Sequence, residues 1–214
     1  PHMGKSQTDI LLDDTGGKFG PFAGQTFVGD LSNALVMRVF MEKVEGEYQG
    51  ACFHFRRDFT PPILRMAWGK GGTMFAGGSS RGWGGGRTPY GLSRITWTGH
   101  VPFEIHEMRA RPNGFELTFT KPVDPATAGD IKSYAMNTYT HLYYSNYGDK
   151  RQDEHPVKIT SATVGKDGKS VLITLDSMQP YYIHGLAAKG VRGTDGLPLL
   201  HPEAYYTLNR IPKR

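Results

Sequence analysis

An all-β fold is what this sequence of 214 residues predicts, on three observations. Twenty-eight Gly and 14 Pro punctuate the chain, while aromatics make up 12% of it and charged residues only 21%, a composition suited to short strands and tight turns. Short apolar runs bounded by Gly, Asn, Asp and Pro recur through the first half. Longer, strictly alternating runs fill the second. No stretch approaches the ~18 apolar residues of a membrane-spanning helix, and the N-terminus shows no charged-then-apolar leader. Residues 1–8, opening Pro1-His2-Met3, are read as a tag and leader.

Taken in order, residues 9–12, 25–30, 34–41 and 48–55 form four strand-like runs, each closed by turn residues. The pattern then restarts with 63–68, 73–78 and 92–97, and 103–108 is the fourth run of the second set. Phe27-Val28-Gly29 and Phe75-Ala76-Gly77 occupy equivalent places, which gives a period near 48 residues. Four short strands at a period of about 40 to 50 residues mark a β-propeller blade. Residues 9–100 are therefore predicted to form a partial β-propeller of about two four-stranded blades. The glycine-rich stretch 77–86, GGSSRGWGGG, has neither the GxxxxGK[ST] nor the GxGxxG spacing of a phosphate loop. It is read as the connection between the second and third strands of a blade, the alternative being a ligand-facing loop that projects Arg81 and Trp83.

Residues 101–214 change texture. Phe115-Glu116-Leu117-Thr118-Phe119-Thr120 and Val171-Leu172-Ile173-Thr174-Leu175 alternate as strands with one buried face do. Asn113-Gly114 and Lys166-Asp167-Gly168-Lys169 are hairpin turns. A seven-stranded antiparallel β-sandwich follows. The stretch 121–128 (KPVDPATA), with 190–196 (GVRGTDG) much later, resembles bacterial Ig-like modules. Within this half, a strand through 139–147 would put Tyr139, His141, Tyr143, Ser145 and Tyr147 on one face. Tyr139, His141, Tyr143 and Tyr147 are then candidates for a platform on which sugar rings stack, or else a cover for the sandwich.

The net charge is +5, but Lys and Arg are scattered, so no nucleic acid partner is expected. Cys52 is the one cysteine, which excludes an internal disulfide or a CxxC site; within Ala51-Cys52-Phe53 it reads as a core thiol. The eight His are dispersed without HExxH spacing, and no metal site is expected. Asp13-Asp14 read as a turn, since adjacent strand residues point to opposite faces. Ser93 lacks the second glycine of a nucleophile elbow. No catalytic residue is assigned.

The pieces GQTFVGDLSNALVMRV, GEYQGACFHFR and GGSSRGWGGGRTPYGLSRITWTG resemble the last blades of large bacterial propeller proteins described as membrane-bound dehydrogenases, relatives of the quinoprotein glucose/sorbosone dehydrogenases. The resemblance spans roughly residues 16–212 and implies a periplasmic or secreted location, with the remaining blades supplied elsewhere. In the soluble quinoprotein glucose dehydrogenases, a lysine and two arginines of the last blades hold the carboxylates of pyrroloquinoline quinone. Here the lysine position falls at Ser32 and the first arginine at Ile63; only the second is kept, as Arg65. The catalytic base of those enzymes lies in early blades, so His54 does not inherit its role. The expectation is a non-catalytic C-terminal portion serving packing and recognition, including of a polysaccharide, with other blades or another copy of itself as partner and no cofactor in this chain alone. The alternative is part of a quinone-dependent sugar dehydrogenase site, using pyrroloquinoline quinone and calcium, in which His54, Arg56, Arg57, Arg65, Arg81 and Trp83 are completed by other blades.

Overall fold

Fifteen strands and almost no helix follow from the Gly and Pro punctuation, as the composition predicts, in a computed structural model that describes residues 3–80, 82–142 and 150–213. The strands lie in three antiparallel sheets, none of them closed. The chain divides into two units, residues 1–40 with 52–101, and residues 41–51 with 102–214. No helix among the described residues is long and apolar enough to cross a membrane.

The first unit holds two meanders. One runs β1 (Gln7–Leu12), β2 (Thr26–Asp30), β3 (Leu35–Val44) and β4 (Glu47–Arg56), with the distal part of the β3–β4 hairpin counted in the second unit. The other runs β5 (Arg65–Trp68), β6 (Met74–Ser79) and β7 (Tyr90–Ile95). The repeat read from Phe27 and Phe75 matches this topology, because β2 and β6 are each the second strand of a meander. Two expectations are corrected. The fold begins earlier than residue 9: β1 starts at Gln7, and the backbone N–H groups of Lys5 and Ser6 donate to the Asp30 carboxylate at 2.6 Å each. The second meander stops at three strands, since β8 (Ile105–Arg111) pairs with β9 (Gly114–Phe119) in another sheet. The buried alternation of Ile105, Met108 and Ala110 fits the core of the second unit, which takes the strand.

Between the meanders of the first unit lies an aromatic core. Phe19 and Phe27 are buried edge to face at 5.4 Å, and Trp68 packs on Phe19 at 4.9 Å. Side chains bridge β1 to β5: Asp9 accepts from the Met66 N–H at 2.7 Å, and the Trp68 indole donates to the Leu12 carbonyl at 2.7 Å. The glycine-rich connection after β6 lies against the rest of the unit, as its residue type requires. A Cβ on Gly85 would meet the Ser32 carbonyl at 2.2 Å, and Gly86 has φ +90 with the Thr60 carbonyl 2.7 Å from where its Cβ would be.

The second unit packs two sheets. One has the order β12 (Ile159–Val164), β13 (Ser170–Leu175), β9, β8; the other continues through β15 (Glu203–Leu208), β14 (Tyr182–Ala187), β10 (Ala135–Thr140) and β11 (Gln152–Pro156). Phe115 of β9 meets Tyr206 of β15 at 4.9 Å and His184 of β14 at 5.3 Å, so the inner faces interdigitate. The hairpin expected at Asn113-Gly114 is present one residue earlier, since Pro112 and Asn113 join β8 to β9 and Gly114 already pairs with Arg111; 165–169 join β12 to β13 as expected. Among the described residues, eight strands rather than the expected seven come from 102–213. The hairpin tip is tied in by Glu42, which accepts from the Ala110 N–H at 2.8 Å and the Tyr206 hydroxyl at 2.5 Å, and by Gln49, which accepts from the Arg210 N–H at 2.8 Å.

Candidate functional site

A groove of about 460 Å³ lies within the first unit. One wall is the segment that leaves β4, Arg56 to Thr60; the other is the end of β7, with Ser93, Arg94, Ile95 and Thr96. The first wall forms because Asp58 takes a left-handed conformation (φ 60), a region in which Asp is more readily accommodated than most residues. The turn buries Phe59, whose N–H donates to the Ala34 carbonyl at 3.2 Å, and leaves Arg56 and Arg57 exposed. The Thr60 carbonyl then accepts from the Arg87 N–H at 2.7 Å and the Thr88 N–H at 3.1 Å, which fixes the strand that supplies the second wall.

Three arginines, Arg56, Arg57 and Arg94, and one acidic residue, Asp58, therefore line the groove. Nη2 of Arg57 sits 2.9 Å from Nδ1 and 3.0 Å from Nε2 of the buried His54. Arginine presents its donors in a rigid fork that matches carboxylate and phosphate. The wider field has the same sign. Residues of the first unit include ten Lys and Arg against five Asp and Glu, those of the second fifteen against fifteen, so the whole net charge of +5 belongs to the first unit.

The candidates from sequence are thus divided. Arg56 and Arg57 line the groove and His54 supports Arg57, whereas Arg65 and Trp83 do not line it. Arg65 donates to the carbonyls of Leu64 at 3.1 Å and Thr8 at 3.4 Å, and Trp83 is 84% exposed on the glycine-rich connection. Arg81 lies outside the described residues, as do Tyr143 and Tyr147. Arg94 was missed, because nothing in the sequence joins it to Arg56 and Arg57 across so long a separation. A quinone cradle does not fit the matched positions: Ile63 is fully buried, the Ser32 hydroxyl shares a hydrogen bond with that of Ser6 at 2.9 Å, and Arg65 is turned onto backbone carbonyls.

Of the tyrosine row in the second unit, the described residues include Tyr139 and His141. β10 ends at Thr140, and Tyr139 is 5% exposed with the Arg151 guanidinium 4.1 Å above its ring, so that ring offers no open face for a sugar. His141 packs edge-on against Tyr139 at 5.5 Å. In the first unit Cys52 is partly buried at the edge of the core expected for it, and burial pushes its thiol up to about 12 against the lowering influence of Arg38.

No protein-family model and no curated protein matches the chain. Two solved structures are similar to it. One is the N-terminal part of the bacterial S-layer protein SbsC, 18% identical, covering 50% of this chain and 24% of that one at a TM-score of 0.38. The other is surface layer protein SbsC, domains 1–6, 20% identical, covering 50% and 14% at a TM-score of 0.37. The chain spans a quarter or less of those structures, and likenesses of this size carry no argument.

Proposed function

We propose that this chain is a non-catalytic recognition module whose first unit binds an anionic partner in the groove between Arg56–Arg57 and Arg94. The observation that carries the reading is the convergence of three arginines on one groove, in the unit that holds all of the net charge. A groove of about 460 Å³ lies within the common range of binding sites, about 300–1,000 Å³. Within this proposal the two meanders are partial propeller blades and the second unit an Ig-like sandwich, in a periplasmic or secreted protein of the propeller dehydrogenase type. The internal repeat of Phe27 and Phe75 and the two-sheet packing around Phe115 support that assignment.

Affinity electrophoresis of the full chain in gels containing polygalacturonate tests the reading. Retardation is expected at low salt and lost near 1 M salt, where the Debye length is about 3 Å. Arg57→Ala and Arg94→Ala should each weaken it by about tenfold, a charge-assisted hydrogen bond being lost in each case. No retardation by polygalacturonate or by any other polyanion would end the proposal. A dye-linked sugar oxidation assay with added quinone and calcium checks the non-catalytic part, which turnover by this chain alone would overturn.

A further inference from the structure

We propose that the groove takes an acidic peptide in extended form, added as a strand to the outer edge of β7; this rests on the anion-binding reading above. The backbone geometry of β6 and β7 carries it. Gly77 of β6 turns its carbonyl towards β5, where it accepts from the Leu64 N–H at 2.9 Å, and Thr73 likewise accepts from the Gly69 N–H at 2.7 Å. On its other side, Ser80 donates to the Pro89 carbonyl at 2.7 Å. In an antiparallel ladder, residues alternate between hydrogen-bonded and non-hydrogen-bonded pairs. Leu92 opposite Gly77 and Arg94 opposite Phe75 are therefore non-hydrogen-bonded pairs of β6 with β7. Both residues direct N–H and C=O away from β6.

Among the described residues no strand pairs with that outer edge, and β7 ends its sheet. The end of that edge, from Ser93, is also a wall of the groove. A peptide laid along it would exchange backbone hydrogen bonds with Leu92 and Arg94, the mode by which exposed sheet edges capture extended segments. Side-chain preferences follow from the register. Tyr90, Leu92 and Arg94 share one face by the period of two, and Tyr90 and Leu92 are 73% and 71% exposed. The residue opposite Arg94 is favoured as an acid and the one opposite Leu92 as an apolar side chain. Arg56 and Arg57 on the facing wall add to the demand for negative charge. The same charges argue against a second copy of this chain as occupant, since β7 paired with β7 would bring two sets of arginines together.

The test measures fluorescence anisotropy with the full chain and the labelled peptide acetyl-Glu-Thr-Val-Thr-Glu-amide, whose symmetric pattern fits either strand direction. Binding is expected. N-methylation of the central Val, which keeps every charge and removes a backbone donor, should weaken it about tenfold, as should Leu92→Pro, which removes an edge donor without touching the β6 ladder. Tryptophan emission verifies that Leu92→Pro is folded, and the N-methylated peptide decides the matter independently if it is not. Equal binding of the methylated and unmethylated peptides overturns strand addition, and so does binding of polygalacturonate without binding of the peptide; in both cases the anion reading stands. Failure of peptide and polyanions alike removes both. A concentration-dependent dimer that excludes the peptide also overturns the proposal, by assigning the edge to a second copy.

Discussion

The two units of this chain use the same secondary structure for different ends. The second is electrically neutral, and its polar residues are spent on its own architecture: Glu42 and Gln49 clasp the hairpin tip, Asp124 caps the short helix α1 (Pro125–Ala128), and Asp167 accepts three hydrogen bonds in its hairpin turn. The first is smaller, holds 17 of the 28 glycines, carries the net charge of +5, and leaves arginines and a strand edge facing a groove. A unit that satisfies itself has little left with which to recognise a partner. That contrast is the ground for proposing recognition in the first unit, although the second has the larger body.

The two units also report separately. All three tryptophans, Trp68, Trp83 and Trp97, belong to the first, and ten of the 11 tyrosines to the second. The largest expected effect is in the first unit. Arg38 of β3 is buried with its guanidinium 4.2 Å from the centroids of both Phe22 and Phe53, and it donates to Gln25. Arg38→Ala removes that packing and leaves a cavity, at a cost of about 3–5 kcal/mol. Urea unfolding followed by tryptophan emission should show it, and Cys52 should become reactive towards thiol reagents as the packing around it opens. A loss below about 1 kcal/mol would mean that the surrounding core closes over the gap.

Next in size is an effect confined to the second unit. His184 is fully buried against Phe115, and burial lowers its pKa from 6.5 to about 4. The folded state holds the ring neutral, whereas the unfolded chain takes up a proton near the ordinary value. The His184 contribution is therefore fully present above about pH 6.5 and is lost as pH falls towards 4, amounting to about 3 kcal/mol over that window. Near-UV circular dichroism of the tyrosines should follow this loss, and His184→Leu should flatten it. An unchanged acid profile in the variant would assign the loss to other groups.

These residues also show what the sequence discloses and what it hides. The strands of the first unit were legible because Phe27 and Phe75 mark a repeat, and the hairpins of the second because Asn113 and Asp167-Gly168 have local turn preferences that tertiary contacts did not override, although the first turn sits one residue earlier than read, at Pro112-Asn113. The end of the second meander was not legible. Residues 103–108 alternate equally well for either partner, and β9, formed farther along the chain, decides. Half of the site was visible, in the run His54 to Arg57. Arg94 was hidden because its place depends on the left-handed turn at Asp58 and on two hydrogen bonds to the Thr60 carbonyl, and neither leaves a pattern in the strand itself. Of the tyrosine row, Tyr139 shows a related limit: period-two reasoning assumes that a strand continues, and β10 stops at Thr140.

The smallest effect bears most directly on whether the second unit has a recognition face of its own. Arg151 lies over the Tyr139 ring and is held there by an ion pair with Glu154 at 2.6 Å. Both charged side chains are about a third exposed, so solvent screens the pair, and the contact with the ring contributes about 0.5–1 kcal/mol. Arg151→Ala should cost about that much in tyrosine-monitored unfolding and leave tryptophan-monitored unfolding unchanged. The same variant probes the sugar platform. If Arg151 merely covers an aromatic residue for stability, its removal leaves polysaccharide retardation as it was. If the ring is a stacking surface that Arg151 screens, removal strengthens retardation by neutral glycans, because a sugar then reaches a face the guanidinium occupied. A gain with neutral glycans would give the second unit a binding face independent of the arginine groove, and the division of labour between the two units would have to be redrawn.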